Sequence, residues 1–158
     1  MLYLAIMNTS STHYMALALK EARAAAKRGE VPVGAVLVDT KSGKVLSSTG
    51  NRTEELRDPT AHAEMLVIRE ATKKMNAPRL PDCDLYVTLE PCPMCATAIS
   101  FARLRRVYFG AYDPKGGGVE HGSRIFGQPT CHHAPEIVGG MEEKECADIL
   151  RLFFDSKR

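Results

Sequence analysis

Two short motifs, about 30 residues apart, impose the strongest constraint on how this chain can fold. His62-Ala63-Glu64 stands at the start of one predicted helix, and Cys92 and Cys95 stand at the start of the next, within Pro91-Cys92-Pro93-Met94-Cys95. Residues three apart share a helix face, so both sulfurs can reach one ion. If His62 joins them, the starts of two separate helices must meet in the folded protein.

The residue types in these motifs favour a catalytic zinc site. The positive end of a helix stabilises thiolates, and Pro93 suits the first helical turn, where its missing N–H costs nothing. Two thiolates and one imidazole leave the fourth tetrahedral position of zinc open for water. A structural zinc knuckle would need a second C-x-x-C or H-x₃₋₅-H pair, and the sequence has neither. A redox pair would not explain the upstream histidine. We therefore predict one zinc ion per subunit, held by His62, Cys92 and Cys95.

Glu64 is predicted to be the catalytic residue rather than a fourth ligand. It lies two residues from His62, so on an ideal helix the two side chains diverge. The pattern H-x-E…P-C-x-x-C is the signature of zinc deaminases, in which the glutamate transfers protons. A zinc-bound hydroxide would attack the amino-bearing carbon, while Glu64 carries a proton from the water to the ring nitrogen and, in a second transfer, protonates the departing ammonia.

Length and composition indicate a single α/β domain in a reducing compartment. The 158 residues suffice for one domain, 1–158, in which residues 1–8 are expected to be disordered or an upstream extension. The net charge of +2 and pI of about 8.3 do not by themselves indicate nucleic-acid binding. Five cysteines, an odd number, argue against a disulfide framework. No secretory leader and no membrane-length apolar run are apparent, so the expected location is the cytoplasm.

Apolar periodicity and turn residues predict alternating helices and strands, which is typical of a three-layer α/β arrangement. Candidate helix caps stand at Ser10, Ser11 and Thr12, and Gly29 is a plausible helix stop. The predicted helices span 9–28, 61–75, a stretch that begins at Pro93, and 141–154; the predicted strands span 33–38, a stretch from Val45, 85–89, 107–109 and 137–138.

The segments around the zinc motifs resemble the bacterial tRNA-specific adenosine deaminases. The similarity runs from about residue 13 to the end of the chain. It rests on segments 30–36, 50–52, 60–64, 85–95, 109–117, 145–147 and 153–154. Whereas the zinc motif is specific only for the superfamily, these flanking segments favour a tRNA substrate.

The resemblance implies a cytidine-deaminase-like three-layer α-β-α fold with a five-stranded mixed sheet, and a homodimer. It implies hydrolysis of the wobble adenosine of a tRNA anticodon loop to inosine, with the arginine tRNA bearing the ACG anticodon among the substrates; no DNA or membrane partner is expected. Matched residue by residue, the substrate contacts fall on Asn51 for the ribose or base, on Val33 and Pro91 for the base pocket, and on Glu30, Ala63, Asp113, Lys115 and Phe154 near the anticodon loop.

Two alternatives remain open from the residues alone. A free-base or nucleoside deaminase acting on guanine, cytosine or cytidine would keep the same zinc chemistry, and the same zinc-loop pattern also occurs in guanine deaminases. The absence of tryptophan and the Asp113-Pro114-Lys115-Gly116 segment favour tRNA. A non-catalytic zinc-binding subunit would be expected to lack the proton-transferring carboxylate, but Glu64 is present.

Overall fold

The chain alternates helices and strands along most of its length. A computed structural model describes the backbone of residues 2–158 and the side chains from residue 11 onward. The elements are α1 (Leu2–Lys27), β1 (Gly34–Asp39), β2 (Val45–Gly50), α2 (Thr53–Leu56), α3 (Ala63–Met75), β3 (Cys83–Leu89), α4 (Pro93–Phe101), β4 (Arg106–Ala111), a 3₁₀ turn (Ile125–Gly127), β5 (Glu136–Val138) and α5 (Glu143–Asp155).

The five strands form one mixed sheet in the order β2-β1-β3-β4-β5. Strand β1 is antiparallel to both neighbours, β2 and β3, whereas β3, β4 and β5 run parallel. The two predicted strands β1 and β2 form a hairpin around Gly43, which has a φ of +74°, a value that an L side chain rarely adopts. The predicted mixed sheet is therefore present.

Helices cover both faces of the sheet, so the predicted three layers are confirmed. Along β1, Ala35 and Leu37 point to the face covered by α3 and α4, while Val36 and Val38 point to the face covered by α1 and α5. This alternation is the period of two expected of a strand buried on both faces. Phe109, fully buried on β4, belongs to the first of these two cores.

Gly34, at the start of β1, permits α1 to lie directly on the sheet. A Cβ at this position would be 1.9 Å from the carbonyl oxygen of Ala18 and 2.6 Å from the amide nitrogen of Ala22. Both obstacles are backbone atoms that a rotamer change cannot move. A glycine is therefore needed for this helix–strand distance, which positions the residues that follow α1 beside the site described below.

In the N-terminal half of the chain, the structure differs from the prediction at two places. Helix α1 begins at Leu2, so the predicted start at Thr9 is wrong and the candidate caps lie within the helix. The segment between β2 and residue 61, where the sequence predicts no helix, contains a one-turn helix, α2, which is too short to show a helical period. The predicted stop at Gly29 is confirmed, since this residue has a φ of +83° just beyond α1.

The expectation that residues 1–8 are disordered or an upstream extension stays a prediction, because Met1 and the side chains of residues 2–10 lie outside the described part of the chain. Among the helices that the structure describes, none combines the length and the apolar character needed to cross a membrane.

Candidate active site

Three potential metal ligands meet where two helices begin. His62 immediately precedes α3 and Cys92 immediately precedes α4, both with extended backbone, and Cys95 lies in the first turn of α4. The ligand atoms of these three residues all lie within 4.8 Å of one another. The two motifs that the sequence places in separate helices are therefore brought together, as predicted.

The spacing of these atoms fits a tetrahedral zinc ion. The Nδ1 atom of His62 lies 3.6 Å from Sγ of Cys92 and 3.5 Å from Sγ of Cys95. Tetrahedral zinc, with Zn–S about 2.3 Å and Zn–N about 2.0 Å, places a sulfur and a nitrogen about 3.5 Å apart. Two thiolates and an imidazole are also the softer ligand types that zinc accepts. The residues present therefore fit zinc in both geometry and chemistry.

The two thiols of the cluster are electrostatically unequal. Hydrogen bonds from Cys95 and then His62 outweigh burial and lower the pKa of Cys92 to about 4. The hydrogen bond to Cys92, together with burial, raises the pKa of Cys95, and the interaction with Cys92 raises the pKa of His62. The lowered pKa favours the thiolate form of Cys92, which is the form that binds a metal cation. Occupation by zinc requires Cys95 to lose its proton as well.

Glu64 lies in the first turn of α3, next to the cluster, with only 4% of its surface exposed. Burial raises the pKa of its carboxyl group, and a hydrogen bond with the Cys95 thiol partly offsets this effect. Glu64 also lines the cleft that contains His62 and Cys92. A carboxyl group in this position can exchange protons with a molecule bound in the cleft.

The cleft has a volume of about 280 Å³ and opens to solvent beside His62 and Cys92. This volume is close to the lower end, about 300 Å³, of sites that hold small organic molecules. It is lined by Val31, Val33, Asn51, Thr53, His62, Glu64, Leu89, Glu90, Cys92, Asp113 and Gly116. The lining thus combines the apolar side chains of Val31, Val33 and Leu89 with several polar groups, a composition suited to a planar ring with polar edges.

Comparison with known proteins determines the family. The model for the cytidine and deoxycytidylate deaminase zinc-binding region matches residues 8–111. A tRNA-specific adenosine deaminase of Agrobacterium fabrum is 63% identical over 147 residues, which cover 93% of this chain and 95% of the relative. The corresponding Bacillus subtilis enzyme is 45% identical over 95% of this chain and 92% of its own length. The chain belongs to the tRNA-specific adenosine deaminase family.

Solved structures agree with membership of the tRNA-specific adenosine deaminase family. A structure from a study of A-to-I editing by tRNA:A34 deaminases superimposes with a TM-score of 0.85, with 62% identity, over 88% of this chain and 99% of that chain. The guanine deaminase of Nitrosomonas europaea gives a TM-score of 0.77 at 21% identity, over 90% of this chain and 83% of that chain. At this lower identity, the second match reports the shared cytidine-deaminase-like fold alone.

Within this family site, the predicted substrate residues fall into three groups. Asn51, Val33 and Asp113 line the cleft. Ala63 and Pro91 are buried and contribute main-chain groups instead: the Ala63 N–H donates to Oδ1 of Asn51 at 2.9 Å, and the Pro91 carbonyl accepts from Gly118 at 2.8 Å.

The other three predicted substrate residues lie outside the cleft lining. Lys115 and Phe154 are exposed. Glu30 is buried, and its carboxylate accepts hydrogen bonds from the Glu54 and Glu55 N–H groups and from the Thr53 hydroxyl. Glu30 therefore holds α2, whose first residue lines the cleft, rather than facing the cleft itself.

Sequence reasoning missed the buried acid Glu90, whose side chain is fully buried and which lines the cleft at the end of β3. Burial raises the pKa of its carboxyl group, but hydrogen bonds from His121, Asp113 and Val119 lower the pKa by more than burial raises it. The pKa therefore lies below its ordinary value. An acidic residue directly after an apolar strand, and just before the zinc loop, was the available signal. Its partners, 23 to 31 residues away, could not be read from the sequence.

Proposed function

We propose that this chain hydrolyses the wobble adenosine of a tRNA anticodon loop to inosine and releases ammonia. The observation that carries the proposal is the Glu64 carboxyl group beside a zinc-type ligand cluster, inside a cleft of about 280 Å³. The relative with 63% identity, named a tRNA-specific adenosine deaminase, supports the tRNA substrate. The arginine tRNA with the ACG anticodon is the substrate that we propose to test first.

Glu64 is the proton-transferring group in the proposed reaction. Zinc, when bound, supplies the Lewis acidity that makes water a nucleophile at neutral pH. The carboxylate of Glu64 accepts a proton from that water and donates it to the ring nitrogen next to the amino-bearing carbon. After the C–O bond has formed, Glu64 accepts the proton of the added hydroxyl group and donates it to the amino group; the C–N bond then breaks, ammonia leaves and the hydroxyl oxygen becomes a carbonyl.

Asn51 and the apolar walls orient the base. Because Oδ1 of Asn51 accepts from the Ala63 N–H, its amide NH₂ is the group left to donate to a base or ribose acceptor. Val33 and Leu89 offer apolar surface to the ring. A base must leave its stack to enter such a cleft, and the bases of an anticodon loop are already unpaired.

The remaining predicted contacts act from the rim or from behind the cleft. Asp113 lines the cleft, whereas Lys115 and Phe154 are exposed and are proposed to reach phosphates and neighbouring bases. Glu30 acts through α2, and Pro91 through its carbonyl group.

A substrate panel tests the proposed function. We expect an anticodon stem-loop with adenosine at the wobble position to be converted to inosine, measured by nuclease digestion and chromatography. The matched control is the same stem-loop with the adenosine moved to a neighbouring anticodon position. Free adenosine, guanine, cytosine and cytidine complete the panel, with ammonia release as the readout. Turnover of guanine together with an unchanged stem-loop would overturn the tRNA assignment and leave the zinc chemistry in place.

We also propose that the chain acts as a homodimer in the cytoplasm. Phe101, at the end of α4, is 61% exposed, and its ring lies 6.3 Å from that of His132. Burial of such apolar surface against a second copy would stabilise a dimer. We expect sedimentation to give a mass near twice 17.3 kDa, and a purely monomeric species would contradict the dimer.

The need for two free thiols at the metal site fits a reducing compartment such as the cytoplasm.

A further inference from the structure

Glu90 lies at the junction of the sheet, the metal-binding loop and the segment that follows β4. Its backbone N–H donates to the carbonyl of Ala111, the last residue of β4. Its side chain points into the segment Asp113–His121, which we call the site loop. This loop supplies Asp113 and Gly116 to the lining of the cleft.

Five N–H groups of the site loop converge on this one carboxylate. Oε2 accepts from three consecutive main-chain N–H groups, those of Val119 at 3.2 Å, Glu120 at 3.0 Å and His121 at 3.1 Å. Oε1 accepts from the Asp113 N–H at 3.1 Å and lies 2.8 Å from Nδ1 of His121. Both ends of the loop are therefore bound to a single side chain, and four of the five donors belong to the main chain.

The site loop also packs directly on the metal-binding loop. The Gly118 N–H donates to the Pro91 carbonyl at 2.8 Å, and a Cβ on Gly118 would be 2.6 Å from the nitrogen of Pro93. A Cβ on Gly117 would be 2.3 Å from Oε2 of Glu90. The two glycines thus allow the loop to approach Glu90 on one side and the residues around Cys92 on the other.

A carboxylate is the side chain that fits this set of donors. Each of its oxygens can accept several hydrogen bonds, and it offers no donor to oppose an N–H group. A glutamine could place its oxygen at the Oε2 position, but its NH₂ would then face the Asp113 N–H. The hydrogen bond from the Asp113 N–H would be replaced by a contact between two donors, the Asp113 N–H and the glutamine NH₂. Such a contact is costly in a buried place.

We propose that Glu90 is a positioning residue for this active site: it fixes the site loop against the metal-binding loop and so holds Asp113 and Gly116 where they line the cleft. The expected change in KM rests on the proposed function. The expected loosening of the site loop rests on the geometry alone. Glu90 acts through the loop, whereas Glu64 and the zinc ligands act on the reacting atoms.

The test compares the wild-type protein with Glu90→Gln. We expect KM for the wobble-adenosine stem-loop to rise about tenfold while kcat changes about threefold or less, because a binding wall is displaced and the metal and Glu64 remain. Zinc content, measured by elemental analysis, should remain that of the wild type. Trypsin should cleave after Lys115, within the site loop, about tenfold faster than in the wild type, since local opening exposes the peptide.

A second variant and a control separate positioning from general stability. Gly117→Ala inserts a Cβ against Oε2 of Glu90, so it should displace the same loop and give the same change in KM and in cleavage after Lys115. Asp84→Asn is the matched control, because Asp84 is 4% exposed and accepts two hydrogen bonds from Arg105 at the start of β3, away from the loop. It should lower the melting temperature with KM and Lys115 cleavage unchanged.

Several outcomes would overturn the proposal. These are a Glu90→Gln protein with wild-type KM and wild-type cleavage after Lys115, a Glu90→Gln protein that loses its zinc, or an Asp84→Asn protein with the same kinetic change. If the wild-type protein leaves the stem-loop unchanged, the proposed function fails. The trypsin comparison then still decides whether Glu90 fixes the site loop.

Discussion

Glu64→Gln is expected to lower the turnover of the wobble-adenosine stem-loop by about a thousandfold, the middle of the range for general acid–base catalysis. The amide has the shape of the carboxyl group but does not accept and return a proton. The three metal ligands are untouched, so zinc content should equal that of the wild type. The measurements are single-turnover formation of inosine and elemental analysis of the same preparation.

Glu70→Gln on the same helix is the control for this prediction. Glu70 lies on α3, but its side chain is half exposed and pairs with Lys74 at 3.2 Å. Its replacement should leave turnover unchanged. If Glu64→Gln retained wild-type turnover with zinc bound, proton transfer by Glu64 would be excluded, and another group in the cleft would have to perform it.

Cys95→Ser is expected to abolish zinc binding at ordinary zinc concentrations, and with it all measurable turnover. Cys95 is fully buried, and its sulfur lies 3.5 Å from Nδ1 of His62, so a hydroxyl group would replace a thiolate at the centre of the cluster. A ligand at about 100 times its dissociation constant stabilises the folded state by about 3 kcal/mol. The free energy of unfolding in urea should therefore fall by at least about this amount.

Treatment with a chelator tests whether the loss of stability in Cys95→Ser comes from the loss of zinc. Removal of zinc from the wild type should lower its free energy of unfolding, while Cys95→Ser should respond little to the same treatment. Cys146→Ser is the matched control, because Cys146 is equally buried but lies on α5, on the other face of the sheet. It should keep its zinc. A Cys95→Ser protein that remained fully loaded and active would show that the ligand set is wrong.

The metal cluster was predictable because its signal is local. The spacing of Cys92 and Cys95 predicts one shared helix face, Pro93 predicts the start of a helix, and His62 precedes another helix by its own sequence context. The strands were predictable for a similar reason: the continuous apolar run of β1 indicates a strand buried on both faces without reference to other segments.

Features that depend on distant partners were not predictable. Met75 lies seven residues after the buried Ile68, on the same face of α3 by helical period, yet it is 46% exposed. Helical period alone does not show where a helix passes the edge of its sheet. Glu30 is a second example, because glutamate side chains are usually exposed and this one is buried. Its burial depends on the N–H groups of α2, more than 20 residues away.

The strand order has a consequence for how the protein could assemble during its synthesis. After the β1–β2 hairpin forms, each later strand adds to the same open edge: β3 pairs with β1, β4 with β3, and β5 with β4. No strand must enter between two that are already paired, so a chain that leaves the ribosome N-terminus first can extend its sheet stepwise. Until β3 emerges, the apolar β1 edge is a place where two nascent chains could pair wrongly.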